Sequence, residues 1–287
     1  MKGVRIKKKV IYSISVIAVI GYVLYYIIMN MSSVEDGVVK FVYGEYGHLK
    51  IDEFIFDTGA EMSIVFKKTD DMNKVFYILM SGLNKELKIE DVYYSNFHYL
   101  DSLKIHHAFW VYIDTCYIPD VIKKNDGILG MNIISQNNWH FNFKDSTLKS
   151  TSKKFTDVGL HNSISFKYGK QIRPLVSIYI EDVEIKEVLF DTGSNSMLTF
   201  GLEDLKKINS KHIPQDTVVE QIMGLYHEDS VVKYNKYTHR QIKINGRTMD
   251  SVYISEDNRF PRIGLGFVRK FDNLYIDTKN KMIYLYN

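Results

Sequence analysis

The tetrapeptide Phe-Asp-Thr-Gly occurs twice in this chain, at Phe56-Asp57-Thr58-Gly59 and at Phe190-Asp191-Thr192-Gly193. At average composition a lone Asp-Thr-Gly arises about once in several thousand positions, so one copy would say little. Two copies, each closing an apolar run and each followed by a small residue, Ala60 or Ser194, point to a fold built from two like halves. The repeat extends well beyond the tetrapeptide. His48–Phe56 and Val183–Phe190 read as strands that alternate and then become continuously apolar on entering a core. Downstream lie Asp126-Gly127-Ile128-Leu129-Gly130 and Arg262-Ile263-Gly264-Leu265-Gly266. Gly127 follows Asp57 by 127 − 57 = 70 positions and Gly264 follows Asp191 by 264 − 191 = 73. Each is succeeded by a short helix-compatible stretch and then a hairpin, turning at Lys144-Asp145-Ser146 and at Asp277–Asn280. Ser81-Gly82-Leu83 and Met223-Gly224-Leu225 add a midway echo. One order of signals, run through twice, predicts two homologous lobes.

The composition suits an all-β chain. There are 21 Tyr and 16 Phe against 4 Pro, and β-branched residues recur in short runs. The net charge of +3 is modest, and Lys2, Arg5 and Lys7–Lys9 concentrate positive charge at the extreme N-terminus. With neither a basic helix nor zinc-finger spacing, no nucleic-acid partner is expected. Cys116 is the only cysteine, which excludes an internal disulfide and leads us to expect a buried, inert thiol.

These motifs resemble the aspartic proteases of the pepsin and retropepsin type. The resemblance rests on Asp57-Thr58-Gly59-Ala60, Asp191-Thr192-Gly193-Ser194 and the downstream Gly127 and Gly264, and covers roughly residues 37–287. It implies two pepsin/retropepsin-like β-barrel lobes with a catalytic cleft between them, each lobe contributing one Asp-Thr-Gly loop. The lobes look short for a pepsin and nearer to two retropepsin units joined in one chain. Since one chain supplies both carboxylates, no dimer is needed to complete the pair.

Ahead of the lobes, Val10–Met29 carries no charge and is dominated by Ile, Val, Tyr and Leu. Twenty helical residues span about 30 Å, the thickness of a bilayer's hydrocarbon core. Tyr12 near one end and Tyr22, Tyr25 and Tyr26 toward the other fit interfacial positions. A cleavable signal peptide would have a shorter apolar region and a small-x-small exit, which Met29-Asn30-Met31 does not offer. The expectation is an uncleaved transmembrane anchor of a bacterial-type, membrane-anchored member. Positive charge on the cytoplasmic side would leave the lobes outside the cytoplasm. The expected division is a basic tail over 1–9, the anchor over 10–29, a linker over 30–36, an N-terminal lobe over 37–157 and a C-terminal lobe over 158–287.

Two carboxylates about 3 Å apart cannot both ionise cheaply, so Asp57 and Asp191 should hold one proton between them. The ionised member takes a proton from a bound water, and the protonated member hydrogen-bonds the carbonyl under attack. This chemistry needs no cofactor and no metal. Gly59 and Gly193 permit tight turns that aim N–H groups at the carboxylates. The resemblance further implies that Thr58 and Thr192 hydrogen-bond across the interface, and that Gly127 and Gly264 let a strand pass close behind each loop. Ala60 and Ser194 differ, and a hydroxyl at that position can bond a carboxylate where a methyl cannot.

Each Asp-Thr-Gly alone could be an ordinary strand-to-turn exit, and the same lobes could serve as a catalytically silent peptide-binding scaffold. The flap candidates are Tyr77 and Gly82 in the first half and Gly224 and Tyr226 in the second. His98, His106 and His107 lack acidic or Cys partners at ligand spacing. Peptide or protein substrates, and the membrane through the N-terminal helix, are the expected partners.

Overall fold

The computed structural model describes residues 19–44, 47–81, 87–154, 163–169, 172–208, 216–223, 229–257 and 261–287. Val10–Ala18 and the basic residues before them lie outside the described residues, as do Gly82, Gly224 and Tyr226. Residues 19–30 form a helix, α1. Among the described residues no helix is long and apolar enough to cross a membrane.

The first half runs β1 (Ser33–Val34), β2 (Gly37–Tyr43), β3 (Leu49–Ile51), β4 (Phe54–Phe56), β5 (Ile64–Val65), β6 (Asn73–Ser81), β7 (Leu87–Leu100) and β8 (Leu103–Tyr112). Short helix α2 (Asp120–Lys123), β9 (Gly127–Leu129), α3 (Met131–Ile134), β10 (Asn138–Asn142) and β11 (Thr147–Thr151) complete it. The second half repeats the plan with β12 (Ser163–Tyr168), β13 (Pro174–Ile180), β14 (Val183–Asp191), β15 (Leu198–Phe200), α4 (Leu202–Ile208), β16 (Asp216–Met223), β17 (Asp229–Ile244) and β18 (Arg247–Glu256). It closes with β19 (Arg262–Gly264), α5 (Leu265–Val268), β20 (Asn273–Asp277) and β21 (Met282–Tyr286).

The pairings repeat as well. β4 runs parallel to β9, with Phe56 opposite Leu129, and β14 runs parallel to β19, with Asp191 opposite Gly264. β5 pairs with β8 and β9 as β15 pairs with β18 and β19. The strand entering each Asp-Thr-Gly loop is thus flanked by buried apolar strands, which is why its last residues are continuously hydrophobic.

A six-stranded antiparallel sheet, ordered β2-β11-β10-β20-β21-β12, joins the halves. Its centre is the β10–β20 pair, with Trp139 opposite Ile276 and Phe141 opposite Leu274. Phe56, the residue before Asp57, rests on this sheet, its ring 5.2 Å from Trp139 and 4.9 Å from Phe141, edge to face. Burying a side chain of that size contributes about 1.5–3 kcal/mol, and here it fixes the strand leading to Asp57 to the shared floor. Thr278 adds polar contacts between the halves, donating through its backbone N–H to Asn138 Oδ1 at 2.9 Å and through its hydroxyl to the Asn137 carbonyl at 2.8 Å.

Two expectations need correction. Residues 30–36 are not a free linker: Ser33 and Val34 pair with His106 and Ile105 of β8, and buried Ser32 donates its hydroxyl to the His107 carbonyl. Cys116 is exposed rather than buried. It sits in a single 3-10 turn whose backbone is held by the Asp114 side chain, and a turn of three residues has no inner face to bury.

Candidate active site

Both aspartates stand where a strand runs out. Asp57 follows β4 and donates its N–H to the Leu129 carbonyl, and Asp191 is the last residue of β14. Beyond each, the chain folds back on the carboxylate. Asp57 Oδ1 accepts from the N–H of Gly59 at 2.7 Å and of Ala60 at 3.2 Å, and Asp191 Oδ1 accepts from Gly193 N–H at 3.1 Å. The two carboxyl groups hydrogen-bond one another across the halves. A Cβ on Gly59 would fall 2.5 Å from Asp191 Oδ1, and one on Gly193 would overlap the Asp57 carboxyl group. Each glycine is therefore required by the opposite carboxylate, so the loops interlock.

Buried threonines hold the interlock. Thr58 N–H donates to Thr192 Oγ1, and Thr192 N–H to Thr58 Oγ1, both at 3.0 Å. Each hydroxyl then donates to the carbonyl before the opposite aspartate, Thr58 to Phe190 at 2.7 Å and Thr192 to Phe56 at 3.0 Å. Inside protein such bonds are strengthened, and any partner left unpaired is costly.

The electrostatics of the pair are unequal. Burial, then the Asp191 charge, pushes the Asp57 carboxyl up to about 8. Burial also raises Asp191, but the Arg262 guanidinium and the hydrogen bond from Asp57 oppose that rise. Both carboxyls are pushed upward by burial, so the pair favours holding one proton between them. Arg262 itself pairs with Asp257 at 3.0 Å. His48 hydrogen-bonds the Gly193 backbone beside Asp191, and burial lowers its pKa so that the ring is held neutral.

Register refines the glycine assignment. The counterpart of Gly264 is Gly130, not Gly127. Gly264 lies opposite Asp191, whereas Gly127 lies opposite Phe54, and both Gly130 and Gly264 are extended residues capping the short helices α3 and α5. The spacing agrees, since 130 − 57 and 264 − 191 are both 73. Gly127 still has no room for a side chain, because a Cβ there would overlap the Ile64 carbonyl.

With this register the halves differ in one informative place. Gly130 N–H donates to Ser63 Oγ at 2.9 Å, while the equivalent Gly264 N–H donates to the Met197 carbonyl at 2.9 Å. Fully buried Asn132 accepts from Ser63 N–H and Ser63 Oγ, both at 2.7 Å, and donates to the Phe109 carbonyl. Ser63 and Asn132 thus brace the first loop from behind. Counting from Gly130 rather than Gly127 would have drawn attention to both.

Other candidates fall elsewhere. The Ser194 hydroxyl bonds Ser196 Oγ at 2.9 Å, so the role expected for it at the carboxylate is not what its contacts support. Tyr77 lies on β6 with 64% of its surface exposed and Lys74 Nζ 4.2 Å from its ring centre. Asp126 pairs with Lys67, His106 with Glu35, and His107 with Tyr94, while His98 packs edge-to-face against Phe54 and tilted against Trp110. No group of three or more metal-ligating side chains occurs among the described residues.

No protein-family model matches the chain. No curated protein matches it either. Solved structures do. Basic 7S globulin from soybean aligns over 88% of this chain and 94% of its own, with a TM-score of 0.51 and 9% identity. A retropepsin-like aspartic protease from Rickettsia conorii aligns over 47% of this chain and 98% of its own, at 20% identity and a TM-score of 0.31. The globulin likeness covers both halves, so the fold is the two-lobed, mostly β, pepsin-like one.

Proposed function

We propose that this protein is an aspartic endopeptidase, carried by the meeting of Asp57 and Asp191 within two loops that lock one another. Asp191, ionised and beside Arg262, accepts a proton from a water held between the carboxylates. The water attacks the scissile carbonyl while Asp57 donates its hydrogen bond to the carbonyl oxygen. As the tetrahedral species collapses, the leaving nitrogen takes the proton that Asp191 received. The titration belongs to the pair, so the assignment describes the resting form. Val10–Met29 anchors the protein in a membrane, with the basic tail in the cytoplasm and the lobes outside it.

A second reading, a silent peptide-binding scaffold, draws on the globulin likeness, because that neighbour is not named as an enzyme. The full chain in detergent, incubated with a mixed peptide library beside Asp191→Asn, separates the two. Cleavage by the parent alone supports the protease. Equal products, or none from either, would leave the scaffold.

A further inference from the structure

We propose that the cleft is seated on the bilayer surface, and that its substrates are polypeptides tethered to that bilayer and cut within the first few residues outside it. This rests on the proteolytic and anchoring readings above and names the substrate class they leave open.

The helix α1 ends inside the first lobe. Ile28 and Met29 are buried in the apolar cluster that contains Ile55, Met62, Ile64 and Ile128, and Ala60 packs against the same cluster. Gln136 Nε2 donates to the Met29 carbonyl at 2.6 Å. One turn earlier, Tyr25 Oη donates to Glu61 Oε1 at 2.9 Å, four residues beyond Asp57. Tyr25 and Ile27–Met29 therefore dock directly behind the loop that carries Asp57, and β1 follows without slack.

The preceding turns are bare. Val19, Ile20, Tyr22, Val23, Leu24 and Tyr26 are all exposed, and at about 100° per residue they cover a little over half of the helix's circumference, away from the side that Tyr25, Ile28 and Met29 turn to the lobe. An exposed apolar face this broad needs an apolar surrounding. The surrounding that fits is lipid: the charge-free run continues back to Val10 and ends at a basic cluster, the pattern that anionic inner-leaflet headgroups favour.

Length then places the lobe. Twenty residues, the length of the charge-free run Val10–Met29, would span about 30 Å as a helix, only just the hydrocarbon thickness. Its last five residues, roughly 7 Å of rise, are already engaged with Glu61 and Gln136. A span this short draws the docking surface into the headgroup layer. Four residues separate Glu61 from Asp57, at most about 14 Å of chain, so the carboxylates lie close above that layer. A polypeptide leaving the same bilayer reaches them after a few extended residues, whereas a bulky soluble protein meets the membrane first.

The test uses the full chain in vesicles of phosphatidylcholine and phosphatidylglycerol. A peptide that the detergent-solubilised protein cleaves is fused to a model transmembrane helix through a spacer of about 5 or about 25 residues, or left free. Cleavage at least about tenfold faster with the short spacer than with the long one is expected, as effective concentration falls once a linker exceeds its span. Equal or faster cleavage of the long-spacer or free form overturns the proposal while leaving the protease intact. Release of the protein by alkaline carbonate overturns the anchor, and with it this inference. Failure to cut the free peptide in detergent, with Asp191→Asn no different, overturns the proteolytic reading itself. Concentration-dependent association of the vesicle-bound chain that Tyr22→Ala and Tyr26→Ala abolish would make the bare helix a contact between copies, and would also overturn lipid as its occupant.

Discussion

Replacing Thr192 by Val removes one hydroxyl, keeps the shape, and tests whether the interlocked loops stabilise the molecule. The hydroxyl accepts from Thr58 N–H and donates to the Phe56 carbonyl, both at 3.0 Å, and Thr192 is fully buried. The substitution strips Thr58 N–H of its acceptor and Phe56 of that donor, with no solvent to replace either. At about 1–3 kcal/mol for each buried group left short, the cost is roughly 2–6 kcal/mol. That is a large share of the roughly 5–15 kcal/mol that holds a typical domain together. At about 2 °C per kcal/mol for a chain of this size, melting should fall by roughly 4–12 °C. Thr192→Ser keeps both bonds and loses one methyl, so its cost should stay near 1 kcal/mol, about that of one buried carbon. Differential scanning fluorimetry of the two variants beside the parent, with peptide cleavage measured in parallel, separates the contributions. Thr192→Val melting within about 2 °C of the parent, or Ser faring no better than Val, would refute the hydroxyl's role.

Five further outcomes are expected. Asp57→Asn and Asp191→Asn should each abolish cleavage while the fold persists, and near-parental turnover in either would contradict the shared-proton mechanism. Because folding raises the Asp57 carboxyl from its ordinary 3.8 to about 8, its contribution to stability is complete below about pH 4 and lost as pH rises to about 8. Asp57→Asn should therefore gain on the parent in melting experiments across that window, and parallel curves would contradict the shift. Gly193→Ala should cripple both folding and cleavage, since the added methyl occupies the space of the Asp57 carboxyl group; a stable, active variant would sink that geometry. Ser194→Ala should leave the pH–rate profile in place because its hydroxyl bonds Ser196, and a displaced acidic limb would restore the tuning role. Protease added outside intact cells should digest the lobes, and protection until lysis would reverse the orientation.

The doubled Asp-Thr-Gly made the two-lobed plan legible because it is local and strict: an aspartate at a strand's end, a buried threonine turned to the opposite loop, a glycine beneath the opposite carboxylate. Other features were legible only in part. Gly127 and Gly130 stand three residues apart in one apolar run, and although the equal spacing of 73 points to Gly130, it is strand register, with Leu129 opposite Phe56, that sets Gly130 against the Asp57 loop. Small-residue spacing alone does not encode register. The Ser194 hydroxyl could have turned either way, and the choice is made by Ser196, whose proximity depends on the turn between them. His48 and Glu61 carried no sequence signal, and Arg262 only that of an ion-pairing charge beside Gly264, because each acts on a loop distant in sequence or on a segment that nothing local marks. Residues 30–36 looked like a linker for the same reason, since two-residue β1 is a strand only by virtue of β8.

The six-stranded sheet has a consequence for synthesis. β2, β11 and β10 all belong to the first half, so that half can close its three strands as soon as it leaves the ribosome. Until β20 arrives, Asn138–Asn142 remains an open edge with Trp139 and Phe141 beneath it. An open edge recruits whatever strand is nearest. The nearest like strand on a crowded polysome is β10 of a neighbouring nascent chain, in the antiparallel manner of β10 and β20. Covalent continuity with the second half competes with that encounter, and it does so by delivering β20 first.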